Sequence, residues 1–375
     1  MRCFESVHRV FLSWAEQTEN SCANWSDSYI KFLPEVPLPT FWWGQGQELF
    51  TGTTLQPAVD AKLKRLKTEF DRLQTLTRNV AWCAKYWWDE DEGLITFNDW
   101  MQVDALYRSR ALEFPGIGDV MVPCIDMANH AADDETAALY ETNSRGDALL
   151  LLQDGKNISR GDEVTITYGD KKGACEITFS YGFLDDSTKS AKELFLDLQV
   201  PEDDPLGQAK AHVSSAAPGA RIFDQGDGAD WESDFVWLLC VNEEDGLGFH
   251  VLQTTDGGRE LKTTWKGEEL DDTSNLRELL EMDPMWDVFH LRAVTLIQAR
   301  VEEQIQQLQQ GQDFQTERLR KGQLVLAMKL RALELELLRR AHATLESQAM
   351  ALTETDTVRE YLSNFVNDVM ENDFT

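Results

Sequence analysis

Between Val120 and Phe183 short apolar runs alternate with polar corners and glycine turns, and this stretch constrains the fold most. "VMVPCIDMANH" is an apolar run that ends in a polar corner at Asn129 and His130. "DALLLLQDGKNI" reads as a strand followed by an Asp-Gly turn. "SRGDEVTITYG" reads as a second turn and strand, because Val164, Ile166 and Tyr168 alternate with Thr165 and Thr167. "GACEITFSYGF" reads as a short helix leading into a further turn. Short strands joined by glycine turns predict a compact, twisted β unit. It carries two Tyr-Gly steps, at Tyr168-Gly169 and, thirteen positions on, at Tyr181-Gly182.

The flanks are of another kind. From Ser6 to Asp104 the pattern is mostly helical, beginning with the amphipathic "SVHRVFLSWAEQ". "LPEVPLPTFWW" is a loop, since its prolines remove donors and fix φ. The run from Gln56 to Trp88 predicts one long amphipathic stretch whose Val59, Leu63, Leu66, Phe70, Leu73 and Leu76 form a single stripe. Residues 200–228 are acidic and rich in Pro, Gly and Ala, which predicts an exposed loop. "DFVWLLCVNEEDGLGFHVLQTTDGGRELKTTW" reads as strand, turn, strand, turn, strand. From Asp287 to about Met350 strong helix formers prevail. Leu319, Val325, Met328, Leu330, Leu333, Leu335, Leu337 and Leu338 give that helix a packing face, without clean heptads. The fold class expected is α+β.

The chain has 375 residues and a formal net charge of −31. Sequence-independent nucleic-acid binding rests on Lys and Arg neutralising phosphates, so this balance argues against it. Solubility explains the acidity, and the surface could also steer a basic protein partner. Apolar runs fall short of the ~18 residues of a membrane span, and the start lacks a signal-peptide core. The six cysteines are scattered without CxxC spacing, which points to reduced thiols in an intracellular compartment, cytoplasmic or nuclear. Carboxylates are abundant but show no metal-ligand spacing.

"SRAL" (Ser109 to Leu112), "VPCIDMANH", "ISRGDEVTITYG" and "TFSYGF" resemble the SET-domain methyltransferases. Their order and spacing are similar to the subgroup typified by the plant Rubisco large-subunit lysine methyltransferase. That resemblance implies a SET-type β unit with a helical insertion, followed by a mainly helical C-terminal domain that binds protein substrate. The divisions expected are 1–105 for the insertion, 106–200 for the C-terminal half of the SET domain, 201–275 for an acidic loop and β-hairpin connection, and 276–375 for the helical domain. It implies S-adenosylmethionine as cofactor and a protein partner with a lysine, or a histidine, as the methylated side chain. Neither nucleic acid nor membrane is implied as a partner.

The same resemblance implies roles for single residues. Asn129 and His130 would bind the cofactor, largely through backbone groups reading the adenine edge, and Asn129 would also meet its amino-acid end. Tyr168 would be the catalytic tyrosine and Tyr181 the second pocket tyrosine, lining a channel for the acceptor side chain. By itself Tyr168 reads as a core tyrosine with one satisfied hydroxyl, and it is the paired Tyr-Gly pattern that turns the reading to a pocket role. Asp126, Ser109 and Arg110 match positions near the cofactor or the substrate backbone, and Arg110 could instead pair with a structural carboxylate. His130 is not read as a base. The family also carries an N-terminal Gly-x-Gly segment. Gly44-Gln45-Gly46 matches it only superficially, since the "ELFTGTTL" after it resembles the later helical insertion. The true segment is expected to precede Met1, and weak or absent cofactor binding is expected of the chain as written. Beside the enzyme reading stands that of a non-catalytic SET-like module whose helical region binds a protein partner.

Overall fold

The computed structural model describes residues 29, 32–89, 94–114, 116–169, 171–214, 217–253, 258–310 and 321–372. The "SVHRVFLSWAEQ" helix and Leu319 lie outside them. Two compact units emerge. One takes the described residues up to Glu48 together with Leu55–Asp185; the other takes Leu49–Thr54 and everything described from Asp186 onward.

In the first unit the Pro-broken segment does run as a loop, with one 3-10 turn at Pro39–Phe41. Its Leu38 and Trp42 are buried, and the Trp42 indole donates to the Pro37 carbonyl at 3.1 Å. Helix α1 (Leu55–Thr77) follows, then α2 (Ala81–Trp87). The expected single stretch is therefore broken, at 78–80. Val59, Leu66 and Phe70 bury the predicted stripe, but it runs out at Leu76, which is 65% exposed. Phe70 meets the rings of Trp88 and Phe97 at 6.0 and 5.9 Å. Helix α3 (Phe97–Arg110) begins with a capping box in which Thr96 and Asp99 satisfy each other's backbone N–H groups. It ends on Arg108 and Arg110, which suits the negative end of its dipole.

The β unit comes next. Strands β1 (Leu112–Phe114) and β2 (Gly118–Val120) pair antiparallel. A 3-10 turn at Ile125–Met127 leads into β3 (Asn129–His130). Strands β4 (Ala138–Thr142) and β5 (Ala148–Leu152) form an antiparallel hairpin. Strand β6 (Thr165–Ile166) returns to lie parallel to β3, and α4 (Ala174–Tyr181) packs on α1 and α3. The predicted alternation is real: Val164, Ile166 and Tyr168 all pack against a core of Leu112, Phe114, Ala138 and Ile166.

The second unit corrects two expectations. Residues 201–228 are not simply an exposed loop. After β7 (Glu193–Asp197) come α5 (Gly207–Val213) and β8 (Gly219–Asp224), with β9 (Ala229–Glu232) completing an antiparallel sheet in the order β7-β8-β9. Ala220 and Ile222 are buried, and so is Lys210, whose ammonium is neutralised by Asp204 at 2.6 Å. Small residues and a buried ion pair concealed these elements. "FVWLL", read as a strand, is α6 (Phe235–Leu239), buried on every side, so it shows no amphipathic period to distinguish the two. The other two predicted strands stand as β10 (Leu247–Gln253) and β11 (Arg259–Trp265), with β12 (Glu268–Leu270) at the edge. The helices α7 (Leu276–Glu281), α8 (Trp286–Gln309), α9 (Lys321–Thr353) and α10 (Asp356–Asn372) complete the unit. α8 and α9 pack together. Of the predicted face, Leu330, Leu337 and Leu338 are buried while Val325 and Met328 are exposed. Among the described residues no helix is long and apolar enough to cross a membrane, and no group of His, Cys, Asp and Glu could hold a metal ion.

Candidate active site

The parallel contact of β3 and β6 places Asn129 opposite Thr165 and His130 opposite Ile166. The Ala131 N–H lengthens it by a bond to Ile166 O at 3.0 Å, and Ala137, just ahead of β4, donates its N–H to Thr165 O at 3.2 Å. Thus the polar corner at the end of one apolar run crosses a strand more than thirty residues downstream. The corner itself is tight. Cys124, just before the 3-10 turn, sits at φ 73°, a left-handed conformation that non-glycine residues seldom adopt.

His130 is locked from both sides. Its Nδ1 accepts the Tyr168 backbone N–H at 3.1 Å, and its Nε2 lies 3.2 Å from an Asp185 carboxylate oxygen. An N–H donating to Nδ1 requires a lone pair there, so the ring proton sits on Nε2, facing Asp185. The imidazole stacks on Tyr168, with ring centroids 5.2 Å apart.

Tyr168 is the centre of the cluster. Its hydroxyl donates to the Ala128 carbonyl at 2.9 Å. Its ring lies 4.5 Å from that of Tyr181 and 6.3 Å from that of Phe183. Burial pushes its phenol pKa up, Arg110 works against that, and Tyr181 and Asp126 add to it. The hydroxyl therefore keeps its proton at neutral pH. The Tyr181 hydroxyl faces the Tyr168 carbonyl at 3.4 Å and accepts from the Lys172 ammonium at 2.8 Å.

Asp126 and Arg110 form a second group. Asp126 is buried, and its carboxylate accepts from the Tyr29 hydroxyl. Arg110 Nη1 donates to the Asp126 backbone carbonyl at 2.8 Å. Burial raises the Asp126 pKa, against the opposing pull of Tyr29 and Arg110. Asp126 Oδ1 and Arg110 Nε are buried without a partner among the described residues. Buried polar atoms are normally satisfied, so this group has unused capacity to bind a polar ligand.

Of the residues singled out in the sequence, His130, Tyr168 and Tyr181 are brought into one ring cluster, with Asp126 and Arg110 as a joined pair whose charges act on Tyr168. Two side chains turn elsewhere. Asn129 is exposed and donates to Glu163, as the alternation of a strand demands once His130 faces inward. The Ser109 hydroxyl bonds back to the Leu106 carbonyl of its own helix at 3.4 Å. Phe183, Asp185, Lys172 and Tyr29 were not singled out. Only Phe183 had a signal, as the last residue of "TFSYGF".

No family model matches the chain. SET domain-containing protein 8 of Schizosaccharomyces pombe (strain 972) is 28% identical over 278 residues, 72% of this chain and 61% of that protein. The chain thus spans about three-fifths of the length of the curated relative it matches. Among solved structures, the SET domain of LSMT bound to lysine and AdoHcy superposes with a TM-score of 0.61 at 17% identity, covering 98% of this chain and 81% of that one. Rubisco LSMT bound to AdoMet superposes with a TM-score of 0.60 at 16% identity, covering 97% and 81%. At such identities the likeness establishes the fold.

Proposed function

We propose that this chain, similar to SET domain-containing protein 8 and folded like Rubisco LSMT, transfers a methyl group from S-adenosylmethionine to the side-chain nitrogen of a protein lysine. One observation carries this reading: the Asn-His corner and the two Tyr-Gly tyrosines, 38 and 51 residues after His130, meet in a single aromatic cluster. The neighbouring structures hold AdoMet, AdoHcy, lysine or methyllysine, which suits that cluster. The unpartnered Asp126 carboxylate oxygen and Arg110 Nε, beside the stacked faces of His130 and Tyr168, fit a ligand with both polar and aromatic parts. The residues that would hold the cofactor are His130, Asp126 and Arg110, with the backbone at Asn129. Ser109 and the Asn129 side chain would have to turn from their present partners to join them.

When bound, the cofactor supplies a sulfonium methyl group that an amine can attack directly. Such a displacement asks little of a general base; it asks for in-line alignment and a neutral amine. The chain's own groups fit that demand. His130 has both ring nitrogens committed, so it fixes the corner rather than moving a proton. The Tyr168 hydroxyl has its proton committed to Ala128, which anchors the ring as a wall of the site. Tyr181 is the phenol whose oxygen would orient the acceptor nitrogen. The rings of Tyr168 and Phe183 pack against that of Tyr181 and wall this position. Histidine as the acceptor remains the alternative target at the same site.

The test is methyl transfer from labelled S-adenosylmethionine to cell-extract proteins, run beside a calorimetric titration of the chain with the same cofactor. Labelled protein is expected with the wild type, falling by about a hundredfold with Tyr181→Phe, the lower end of what one positioned catalytic group contributes. No labelling at saturating cofactor overturns the reading. Failure of cofactor to bind leaves a protein-binding module instead.

A further inference from the structure

Lys172 was not singled out in the sequence, yet its ammonium occupies a position of consequence. Nζ donates to the Tyr181 hydroxyl at 2.8 Å and stands 5.0 Å from the centre of that ring. Glu176, in the first turn of α4, lies 3.7 Å away. The stem of Lys172 is seated on the backbone of Gly169: a Cβ there would meet its Cγ, Cδ and Cε at 3.2–3.3 Å, tighter than side chains pack. Gly169 also sits at φ 118°, where a side chain is strained in any case. Burial works to lower the Lys172 pKa, but the Tyr181 hydrogen bond and the Glu176 carboxylate outweigh it and leave it raised. The side chain is charged, half-buried and held in place.

A phenol oxygen has one proton and two lone pairs. The Tyr181 proton faces the Tyr168 carbonyl, and the Lys172 ammonium takes a lone pair. A second nitrogen arriving at that oxygen would sit within a few ångströms of Nζ, in a site walled by the Tyr168 ring at 4.5 Å. If protonated, it would meet a like charge within a few ångströms. We propose that Lys172 is the specificity-determining residue of the acceptor position: its ammonium holds the Tyr181 hydroxyl, and an incoming protonated primary amine, repelled by that charge, binds by displacing it. This rests on Tyr181 being the acceptor-side tyrosine.

The proposal is tested without any methyl transfer. The full chain is acetylated with a limiting amine-reactive ester, and labelling at Lys172 and at its exposed neighbour Lys171 is read by mass spectrometry. The ratio of the two cancels reagent consumed by other amines. In the chain alone, Lys172 is expected to react severalfold more slowly than Lys171; with tens of millimolar L-lysine present, the ratio rises toward one. A ratio that L-lysine leaves unchanged overturns the proposal. In parallel, Lys172→Met is expected to bind L-lysine about tenfold more tightly by calorimetry, the equivalent of one hydrogen bond no longer broken on entry. Equal or weaker binding by a folded Lys172→Met chain counts against it as well. Displacement of Lys172 by L-lysine with no methyl transfer would sink the enzyme reading alone. Transfer without displacement would sink this proposal alone.

Discussion

Tyr168 shows how far one residue's role depends on its partners. Period-two alternation placed its ring with Val164 and Ile166 on the core face, and the ring is there. The destination of its hydroxyl was not legible, because Ala128 is forty residues away and is met only when β6 folds back along β3. The hydroxyl is satisfied by Ala128, as in a core tyrosine, and the ring also faces Tyr181. Replacing it with phenylalanine keeps the stacking and strands a partly buried carbonyl. Tyr168→Phe is therefore expected to lower the stability of the first unit by about 1–2 kcal/mol, the cost of one unsatisfied group. Urea denaturation followed by tyrosine-independent far-UV dichroism checks this; an unchanged midpoint would show that the hydroxyl is not held by Ala128. For Arg110 the structure chose a carbonyl, that of Asp126, over a carboxylate. Side-chain length allowed either.

At the level of elements, amphipathic stretches were readable and buried ones were not. The stripe of α1 and the strand alternation at 164–168 are local patterns, visible wherever one face is wet. α6 has no wet face, and β8 buries only the small Gly219 and Ala220 beside Ile222, so neither announced itself. Leu49–Thr54 is a further case: it lies in turns outside any helix or strand, yet it is clasped by helices from the far end of the chain. Gln304 donates to the Gly52 carbonyl at 2.8 Å, and Arg331 donates to the carbonyls of Leu49 and Thr51 at 3.2 and 2.7 Å. Gly52 has φ 78°, and a Cβ on it would lie 2.3 Å from the Gln307 carbonyl oxygen of α8. That obstacle is backbone and cannot rotate away. Gly52→Ala is expected to cost more than the ~1–2 kcal/mol of left-handed strain alone, and so to lower the thermal midpoint of the second unit by several degrees. A midpoint within a degree of wild type would mean that the connector does not lie against α8 as described.

Over the whole molecule, the chain sorts into two units that do not follow its order, since a six-residue segment near the start belongs with the C-terminal helices. Glu334 ties that segment down. It is fully buried, and its carboxyl receives the Thr54 N–H and the Thr54 hydroxyl, the latter at 2.5 Å. Burial pushes its pKa from 4.5 up to about 7, although the Thr54 bonds and Arg331 pull the other way. The folded state then holds this proton through a pH range in which the unfolded chain has lost it. Stability from this group is complete below about pH 4.5, declines as pH rises to about 7, and is flat above. The decline amounts to roughly 3 kcal/mol at about 1.4 kcal/mol per pH unit. Glu334→Gln, which cannot ionise, is expected to remove that slope; urea midpoints at pH 5 and pH 7.5 for both chains check it, and parallel slopes would refute it. By itself the sequence determined the helical flanks, the short Gly-turned strands, the polar corner and the paired Tyr-Gly steps, because periodicity and turn chemistry act within a few residues. Tertiary structure alone decided that Tyr168 spends its hydroxyl on Ala128, that Lys172 sits on Tyr181, and that Leu49–Thr54 is gripped by Arg331 and Glu334. Those contacts exist only where the returning chain brings buried groups together that must then satisfy one another.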